Sequence, residues 1–575
     1  MTSAYADKSL DAEQEAAVLA TEKAIAVLAG PGSGKTRTLS HRARHLLIEH
    51  PDSRALLLTF TNKAAAEMKA RALAVGTLAA DRIEASTFHG FGAAFLRSHG
   101  DLVGIARDFD ILDMEERDEF AAAVARERGI ANRIVAWSSR RLRGQTMPEL
   151  VAAFGTAFEE AKRADALVDF DDLVVYPATL LAANAALAAA YGARFRHILV
   201  DEFQDTNPVH FAIVKSLYPH AQTISVFADD DQTLMRFAGA DAGNVGRFAD
   251  ELGAKPYPLS CNYRCRKEIV THANRLIAAD PAASGRHMRA DKPAGDVALV
   301  DYATTSDEAA ALGEEIADAV VERGVPAASI AVLVRSAFRA DELVAALRAR
   351  GVPVTDWRGA AYEPAERRIL ITCMSVIRPR LNNRQARKLS ELLGRDVLDE
   401  RDTHAFLEAH TGHPVADALL AVRVLAFEGA RPQQIVAQAQ AAIAAYDPAS
   451  GERAVPLVEA VADFERFDPN FTLEHLLTEL ALKTGGRPPT QGGGVKVGTL
   501  HGTKGLEWPT VYLLGLEEGK LPDYRAEDKD AIGDERRACF VGVCRAEDRL
   551  VLTFSHYFRV HRQKPSRFLH EMALT

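Results

Sequence analysis

Short apolar runs alternate with polar, helix-periodic stretches along this chain, and that alternation predicts an α/β fold. AIAVL (Ala24 to Leu28), ALLLTF (Ala55 to Phe60), HILVDEF (His197 to Phe203) and TISVFADDD (Thr223 to Asp231) have the length of buried strands, with helical segments between them. Such a pattern builds a parallel sheet covered by helices. Three of the four runs end in polar or acidic residues. Ligands of parallel sheets sit beyond the carboxyl ends of the strands, so chemistry is expected at those ends.

From Phe95 to Arg196 the pattern turns helix-rich, with an Ala-dominated stretch from Leu180 and a basic cluster, SSRRLRGQ (Ser138 to Gln145). A second α/β unit begins near Leu259, continues through SIAVLVRS (Ser329 to Ser336) and resumes at GVKVGTLHGTKGLEWPTVYLLG (Gly494 to Gly515). Between about Arg378 and Gly493 lies another helix-rich block, closed by the turn-rich KTGGRPPTQGGG. The expected plan is therefore two α/β cores, each split by a helical insertion. The first core takes residues 1–94 and 196–257 around an insertion at 95–195. The second takes 258–377 and 494–575 around an insertion at 378–493. A length of 575 residues agrees with about four such units.

Charge narrows the function classes. Lys and Arg number 69 against 79 Asp and Glu, a formal net charge of −10, which excludes a uniformly basic nucleic-acid coat. Any nucleic-acid contact has to be local. The five cysteines, Cys261, Cys265, Cys373, Cys539 and Cys544, form no CxxC pair of a zinc ribbon, and a reducing compartment is expected. The polar start MTSAYADKSLDAEQEAA has no signal-peptide core, and the Ala-rich stretch is too short to span a bilayer. A soluble, cytoplasmic protein without a membrane partner is the expectation.

AGPGSGKT (Ala29 to Thr36), followed by Arg37, is a phosphate loop between strand and helix. Ala29, Gly30, Pro31, Gly32, Ser33 and Gly34 supply backbone that wraps phosphates; Lys35 reaches the β- and γ-phosphates, and the Thr36 hydroxyl holds Mg²⁺. In ILVDEFQD (Ile198 to Asp205) an apolar strand ends in paired carboxylates. Asp201 is the expected Mg²⁺ ligand and Glu202 the base that polarises the attacking water. Together the two motifs specify an Mg²⁺-dependent nucleoside triphosphatase without saying what the energy drives.

The remaining motifs narrow it. LDAEQ (Leu10 to Gln14), TFTNKAAAEMKAR (Thr59 to Arg71), STFHGFG (Ser86 to Gly92), ADDDQ (Ala228 to Gln232), LSCNYR (Leu259 to Arg264), TLHGTKGLEW (Thr499 to Trp508) and DERRACFVGVCRAEDRL (Asp534 to Leu550) follow one another in this order. The series resembles the superfamily 1 DNA helicases of the UvrD/Rep/PcrA type. The resemblance implies two RecA-like parallel-sheet P-loop cores with ATP and Mg²⁺ between them. It also implies single-stranded DNA and single/double-strand junctions as partners, and 3′→5′ travel in DNA repair, replication or related processing. By the same resemblance Gln14 reads adenine, Tyr263 stacks on the base, Glu507 contacts the ribose and Gln232 senses the γ-phosphate. Arg264 and Arg545 act as arginine fingers delivered from the second core.

On the DNA side, Phe60, Phe88 and Phe237 stand among polar motif residues, a placement that suits stacking on unpaired bases or, alternatively, packing in the core. Asn62, Thr87, His89, Thr499 and His501 have groups for phosphates and sugars. The basic residues Arg140, Arg141 and Arg143 are either phosphate contacts or solvated charge. The pattern breaks at TLMRFAGA, where Met235 and Ala238 replace the family's Tyr and Arg, at Cys544 in place of Thr, and in the second insertion, which lacks the family's duplex-binding motif. Met235, Ala238 and the second insertion keep a second reading open, a nucleotide-gated DNA-binding ATPase subunit of a larger repair or anti-phage assembly, whereas the small-for-small change at Cys544 is expected to be tolerated. A P-loop hydrolase or kinase acting on something other than DNA is the third.

Overall fold

The computed structural model describes residues 9–74, 79–233, 243–356, 358, 364–377, 381, 383–394, 402–467, 472–473, 476, 493–558 and 560–575. Met235, Phe237 and Ala238 lie outside them. β1 (Ala24–Ala29), β2 (Ala55–Thr59) and β3 (Ile83–Thr87) begin a sheet that the chain leaves for a helical block holding only a small parallel pair, β4 (Asp110–Ile111) and β5 (Leu167–Val168). The chain returns as β6 (His197–Val200), β7 (Thr223–Ala228) and β8 (Lys255–Leu259). Strand order is β3-β2-β6-β7-β1-β8, all parallel. Every residue of β2, β6 and β7 is buried, because helices cover both faces, and this is why those runs are apolar without alternation. The order sets β7 beside β1 and β6 beside β7, so the phosphate loop and both acidic strand ends share one rim.

Five helices make up the first insertion: Met114–Glu127, Ile134–Leu142, Glu149–Ala164, Asp172–Ala183 and Ala185–Arg194. The Ala-rich stretch is broken between the last two, which meet at a bend of 107°, and no single helix among the described residues is long and apolar enough to cross a membrane. At Gly92, in the helix Phe88–His99 that follows β3, an added Cβ would lie 1.6 Å from the Leu173 carbonyl oxygen. Insertion and core thus meet backbone to backbone, and their apolar residues form one cluster that includes Phe91, Phe95, Phe109, Leu173 and Val174.

Arg141 corrects the reading of the basic run. Instead of facing solvent or phosphate, its Nη1 lies 2.8 Å from Asp172 and 3.2 Å from Glu159, both largely buried. Beside it, Lys162 Nζ lies 2.5 Å from Asp172, 2.9 Å from Asp169 and 3.0 Å from Glu159. Burial works against the Lys162 charge, but the three carboxylates outweigh it and hold its pKa above the usual lysine value. Removing the ammonium would strand carboxylates in a dry site. Lys162→Met is expected to destabilise this helical block by about 3–5 kcal/mol, read as lost amide-exchange protection in Glu149–Ala164. A loss below about 1 kcal/mol, the range of exposed ion pairs, would contradict the account.

The second half opens with β9 (Cys261–Arg266), paired in parallel with β10 (Arg289–Lys292). Its main sheet contains β11 (Asp296–Thr304), β12 (Ile330–Val334), β13 (Val354–Asp356), β14 (Val495–Thr499), β15 (Trp508–Leu514) and β16 (Ala546–Phe558). The order is β11-β16-β15-β12-β14-β13, with β17 (His561–Arg562) antiparallel at the end of β16. β12 pairs with β14 on one side and β15 on the other, so strands from before and after the second helical block interleave. That block carries its own apolar core, with Leu419, Val422, Val436 and Ile443 on the helices Pro414–Phe427 and Pro432–Tyr446. It reaches the first insertion through Lys388 Nζ, 2.9 Å from Glu116.

Candidate nucleotide and nucleic-acid site

The phosphate loop leaves β1 with Gly32 and Gly34 in the left-handed region, at φ 69° and 79°. Space is as restrictive as conformation there. A Cβ on Gly34 would stand 2.7 Å from Gln14 Nε2, and one on Gly32 2.7 Å from Arg264 Cβ. Gly34 caps the helix Lys35–Glu49, whose first N–H groups open toward the loop. Gln14 is fixed by a capping box with Asp11 at the start of Ala12–Leu19, and its Nε2 donates to the Ser33 carbonyl at 2.9 Å. Ser33 Oγ donates to the Gly30 carbonyl at 2.7 Å, and Arg37 to the Ser9 carbonyl at 2.8 Å. From the other half, the Tyr263 N–H donates to the Gly32 carbonyl at 2.9 Å, while the Tyr263 hydroxyl donates to Asp11. The residues expected around an adenine are therefore already assembled against the loop.

At the end of β6, Glu202 adopts φ 53° and ψ 39°, a left-handed conformation that is costly for a residue with a Cβ. This turn aims its carboxylate at Lys35 Nζ, 2.7 Å away, with Asp201 at 3.7 Å. Gln204 donates to Glu202 at 2.5 Å and accepts from the Asp229 N–H at 3.0 Å, tying the end of β6 to the end of β7. The neighbours split the two carboxylates. Burial, reinforced by Glu202 and opposed by Lys35, pushes Asp201 up to about 6. For Glu202, burial is outweighed by Lys35 and Lys504, which hold it well below the usual carboxylate range. Paired acids with diverging environments are a pattern of divided labour, and Glu202 is the ionised member of the pair.

Mg²⁺ prefers oxygen donors and keeps most of its waters, so one carboxylate and one hydroxyl beside phosphates suffice. Asp201 and Thr36 supply that set: the Asp201 carboxylate is buried at the strand end, and the Thr36 hydroxyl, one residue after Lys35, makes no hydrogen bond to the described residues.

The second half brings cations to this rim. Arg545 is 2% exposed, and its three nitrogens donate to neutral oxygens: Nε to Val541 O at 2.9 Å, Nη1 to Leu506 O at 3.0 Å and Nη2 to Gln232 Oε1 at 3.2 Å. Burial first, and then Arg264, lower its pKa to about 10. Arg264 pairs with Glu507, which brings together two residues expected to contact different parts of the nucleotide, and donates to Cys544 O at 3.3 Å. Gln232 Nε2 donates to Asp229 at 2.6 Å. Lys504, unassigned by the sequence reading although it stands inside TLHGTKGLEW, reaches Asp205 at 2.5 Å, Glu202 at 3.4 Å and the Gln232 carbonyl at 3.2 Å. Arg286, outside every motif, approaches Asp229 at 3.4 Å.

The residues expected on DNA divide. Phe60, partly exposed at the end of β2, packs on Phe88 and His210 at centroid distances of 5.8 and 5.6 Å. Phe88 is 1% exposed and belongs to the core cluster, so core packing is the correct one of its two readings: the first residue of a helix laid on the sheet points inward. Thr87 is 3% exposed and spends its hydroxyl capping that helix, accepting from the Gly90 N–H at 2.9 Å. Neither side chain is offered to a ligand in this arrangement. His89 is partly exposed, and burial lowers its pKa to about 4, so its ring is a neutral donor or acceptor and not a cation. Asn62 opens the helix Asn62–Ala74, Thr499 ends β14 and His501 lies in the turn after it, all partly exposed. His210, unassigned from sequence, packs against Phe88 with ring centroids 4.5 Å apart and tilted by 42°, and caps its own helix by accepting from the Asn207 N–H.

A parallel sheet whose strand ends carry a phosphate loop and buried carboxylates, met by Arg545 and Lys504 from a second, mainly parallel sheet unit, defines a P-loop nucleoside triphosphatase of two RecA-like cores. Residues 10–253 match the UvrD/REP helicase N-terminal domain, and residues 257–393 and 444–557 match the UvrD-like helicase C-terminal domain. DNA helicase II of Salmonella typhimurium is 28% identical over 649 residues, spanning 100% of this chain and 88% of the relative. ATP-dependent DNA helicase PcrA of Staphylococcus epidermidis is 27% identical over 98% of this chain and 86% of its own. ATP-dependent DNA helicase UvrD2 of Mycobacterium tuberculosis is 30% identical over 98% and 81%. The chain belongs to the UvrD/REP helicase family.

Proposed function

We propose that this protein is an ATP-dependent DNA helicase that moves along single-stranded DNA, 3′→5′, and separates duplex at single/double-strand junctions in repair or replication. The division into cores 1–94 with 196–257 and 258–377 with 494–575, and insertions 95–195 and 378–493, is part of that reading. The observation that carries it is the hydrogen-bonded circuit across the cleft: Gln232 receives Arg545 and Lys504 while holding Asp229 in its own core. Hydrolysis and relative motion of the cores then share the same atoms.

Gly30 to Thr36 and Lys35 would bind the triphosphate, with Gln14, Arg37, Tyr263 and Glu507 around the nucleoside. Thr36 and Asp201 would hold Mg²⁺, whose chemistry is to neutralise and orient the phosphate oxygens. Glu202, kept ionised by Lys35 and Lys504, takes the proton of the attacking water. Arg545, and Arg264 once released from Glu507, stabilise charge on the γ-phosphate. Phe60, Asn62, His89, Thr499 and His501, at or just after the carboxyl ends of β2, β3 and β14, would line the path of the single strand.

ATP hydrolysis measured with and without single-stranded DNA tests the reading, together with strand displacement on a 3′-tailed duplex and a Lys35→Ala control. Stimulated hydrolysis with displacement supports it. Hydrolysis indifferent to DNA overturns it, and stimulation without displacement favours the nucleotide-gated subunit that Ala238 suggests.

A further inference from the structure

Between the helix Lys267–Ala278 and β10, the segment Ser284 to Met288 of the second core lies against two parts of the first. Toward β7, the Ser284 N–H and hydroxyl donate to the Asp231 carboxylate at 2.9 and 2.6 Å. Arg286 Nη2 stands 3.4 Å from Asp229 and 3.8 Å from Asp231. Toward the phosphate loop, Met288 packs so closely that a Cβ on Gly30 would meet its Cγ at 3.1 Å. Asn262, in contact with Met288, donates to the Pro31 carbonyl at 2.8 Å.

Asp229 stands at the centre. One carboxylate oxygen faces Arg286 and the other accepts from Gln232 Nε2 at 2.6 Å. An amide whose NH₂ is fixed on a carboxylate must present its carbonyl oxygen elsewhere, and here Oε1 accepts from Arg545. Unionised, Asp229 would hold that NH₂ less firmly, and burial already pushes its pKa up to about 7, with Arg286 the first opposing influence.

The Arg286 contact also differs from the protein's structural ion pairs. Arg335 and Arg536 each grip one glutamate through two nitrogens at 2.7 to 3.0 Å. Arg286 touches its acids through one nitrogen at long range, and its buried Nε and Nη1 have no acceptor among the described residues. A guanidinium with spare buried donors where the two halves meet calls for a reason other than a structural ion pair.

We propose that Arg286 is a positioning residue for ATP hydrolysis: it holds Asp229 from across the cleft, Asp229 fixes the Gln232 amide, and Gln232 places Arg545. The inference rests on the hydrolase reading above.

The experiment is steady-state ATP hydrolysis by the full chain with saturating single-stranded DNA. Arg286→Gln is expected to lower kcat at least about tenfold with KM for ATP changed less than about threefold, because the chain acts on the reacting geometry and not on nucleotide capture. Arg286→Lys, which keeps a charge near Asp229, should recover at least about a third of the wild-type kcat, an outcome that lost packing alone would not give. Combining Arg286→Gln with Asp229→Asn should add less than about twofold to the larger single loss, since both break one chain. An Arg286→Gln kcat within about twofold of wild type, a loss that lysine does not rescue, or multiplicative effects in the double variant would overturn the proposal. A wild-type protein without DNA-stimulated hydrolysis overturns the functional reading and this inference together; active wild type beside an equally active Arg286→Gln overturns this inference alone.

Discussion

Glu202→Gln is expected to bind ATP and to lose about 10²- to 10⁴-fold in hydrolysis, the range supplied by a positioned general base. The side chain keeps its shape but can no longer accept a proton. The residue's environment leaves little room for substitution by another base. Glu202 sits on a left-handed turn that only the surrounding rim maintains, and Lys35 at 2.7 Å and Lys504 at 3.4 Å keep it charged. Asp201, one residue away, is buried and stands farther from Lys35, at 3.7 Å. ATP binding followed by a fluorescent nucleotide, beside single-turnover hydrolysis, separates the two effects; a hydrolysis rate within about tenfold of wild type would remove Glu202 from the role of base. Lys35→Ala, by contrast, should lose both binding and hydrolysis, since it withdraws the cation from the phosphates.

Arg545→Lys is expected to lower hydrolysis by about 10³- to 10⁵-fold, the contribution of an arginine finger. Charge is conserved in this variant and geometry is not. The guanidinium satisfies Val541 O, Leu506 O and Gln232 Oε1 with three separate nitrogens in one plane, and an ammonium on a flexible stem cannot reproduce that fork. Its acceptors are neutral, so its positive charge is left for an incoming anion. Arg264, already paired with Glu507 and 16% exposed, should show the smaller loss on the same change. Hydrolysis with DNA bound decides it: Arg545→Lys retaining more than about a tenth of the wild-type rate would exclude the finger role.

The parts legible in the sequence were those whose chemistry is local. A phosphate loop must be glycine-rich within eight residues, and an acidic strand end is contiguous with its apolar strand, so Gly34, Lys35, Asp201 and Glu202 announce themselves. Buried strands such as β6 and β7 are equally plain, because a parallel sheet covered on both faces is built mostly of apolar residues and admits a polar one only where it is hydrogen-bonded, as His197, Thr223 and Ser225 are. What spacing conceals is any partnership across the fold. Lys504 is 302 positions from Glu202 and Arg286 is 57 from Asp229, and neither neighbour alters the local pattern. Phe88 shows the converse error: a ring in a polar motif reads as a platform for bases, yet at the first turn of a helix on a sheet it is the residue that faces the core. Arg141 misled in the same way, since a basic run gives no sign of which member meets Asp172 and Glu159 inside.

β8 ends at Leu259 and β9 begins at Cys261, so among the described strands the passage from one half to the other is a single residue, Ser260, whose N–H and hydroxyl both donate to Glu13 beside Gln14. That ties the crossing between the halves to the helix Ala12–Leu19, whose Gln14 donates to the phosphate loop at the Ser33 carbonyl, so one short helix touches both the crossing and the loop.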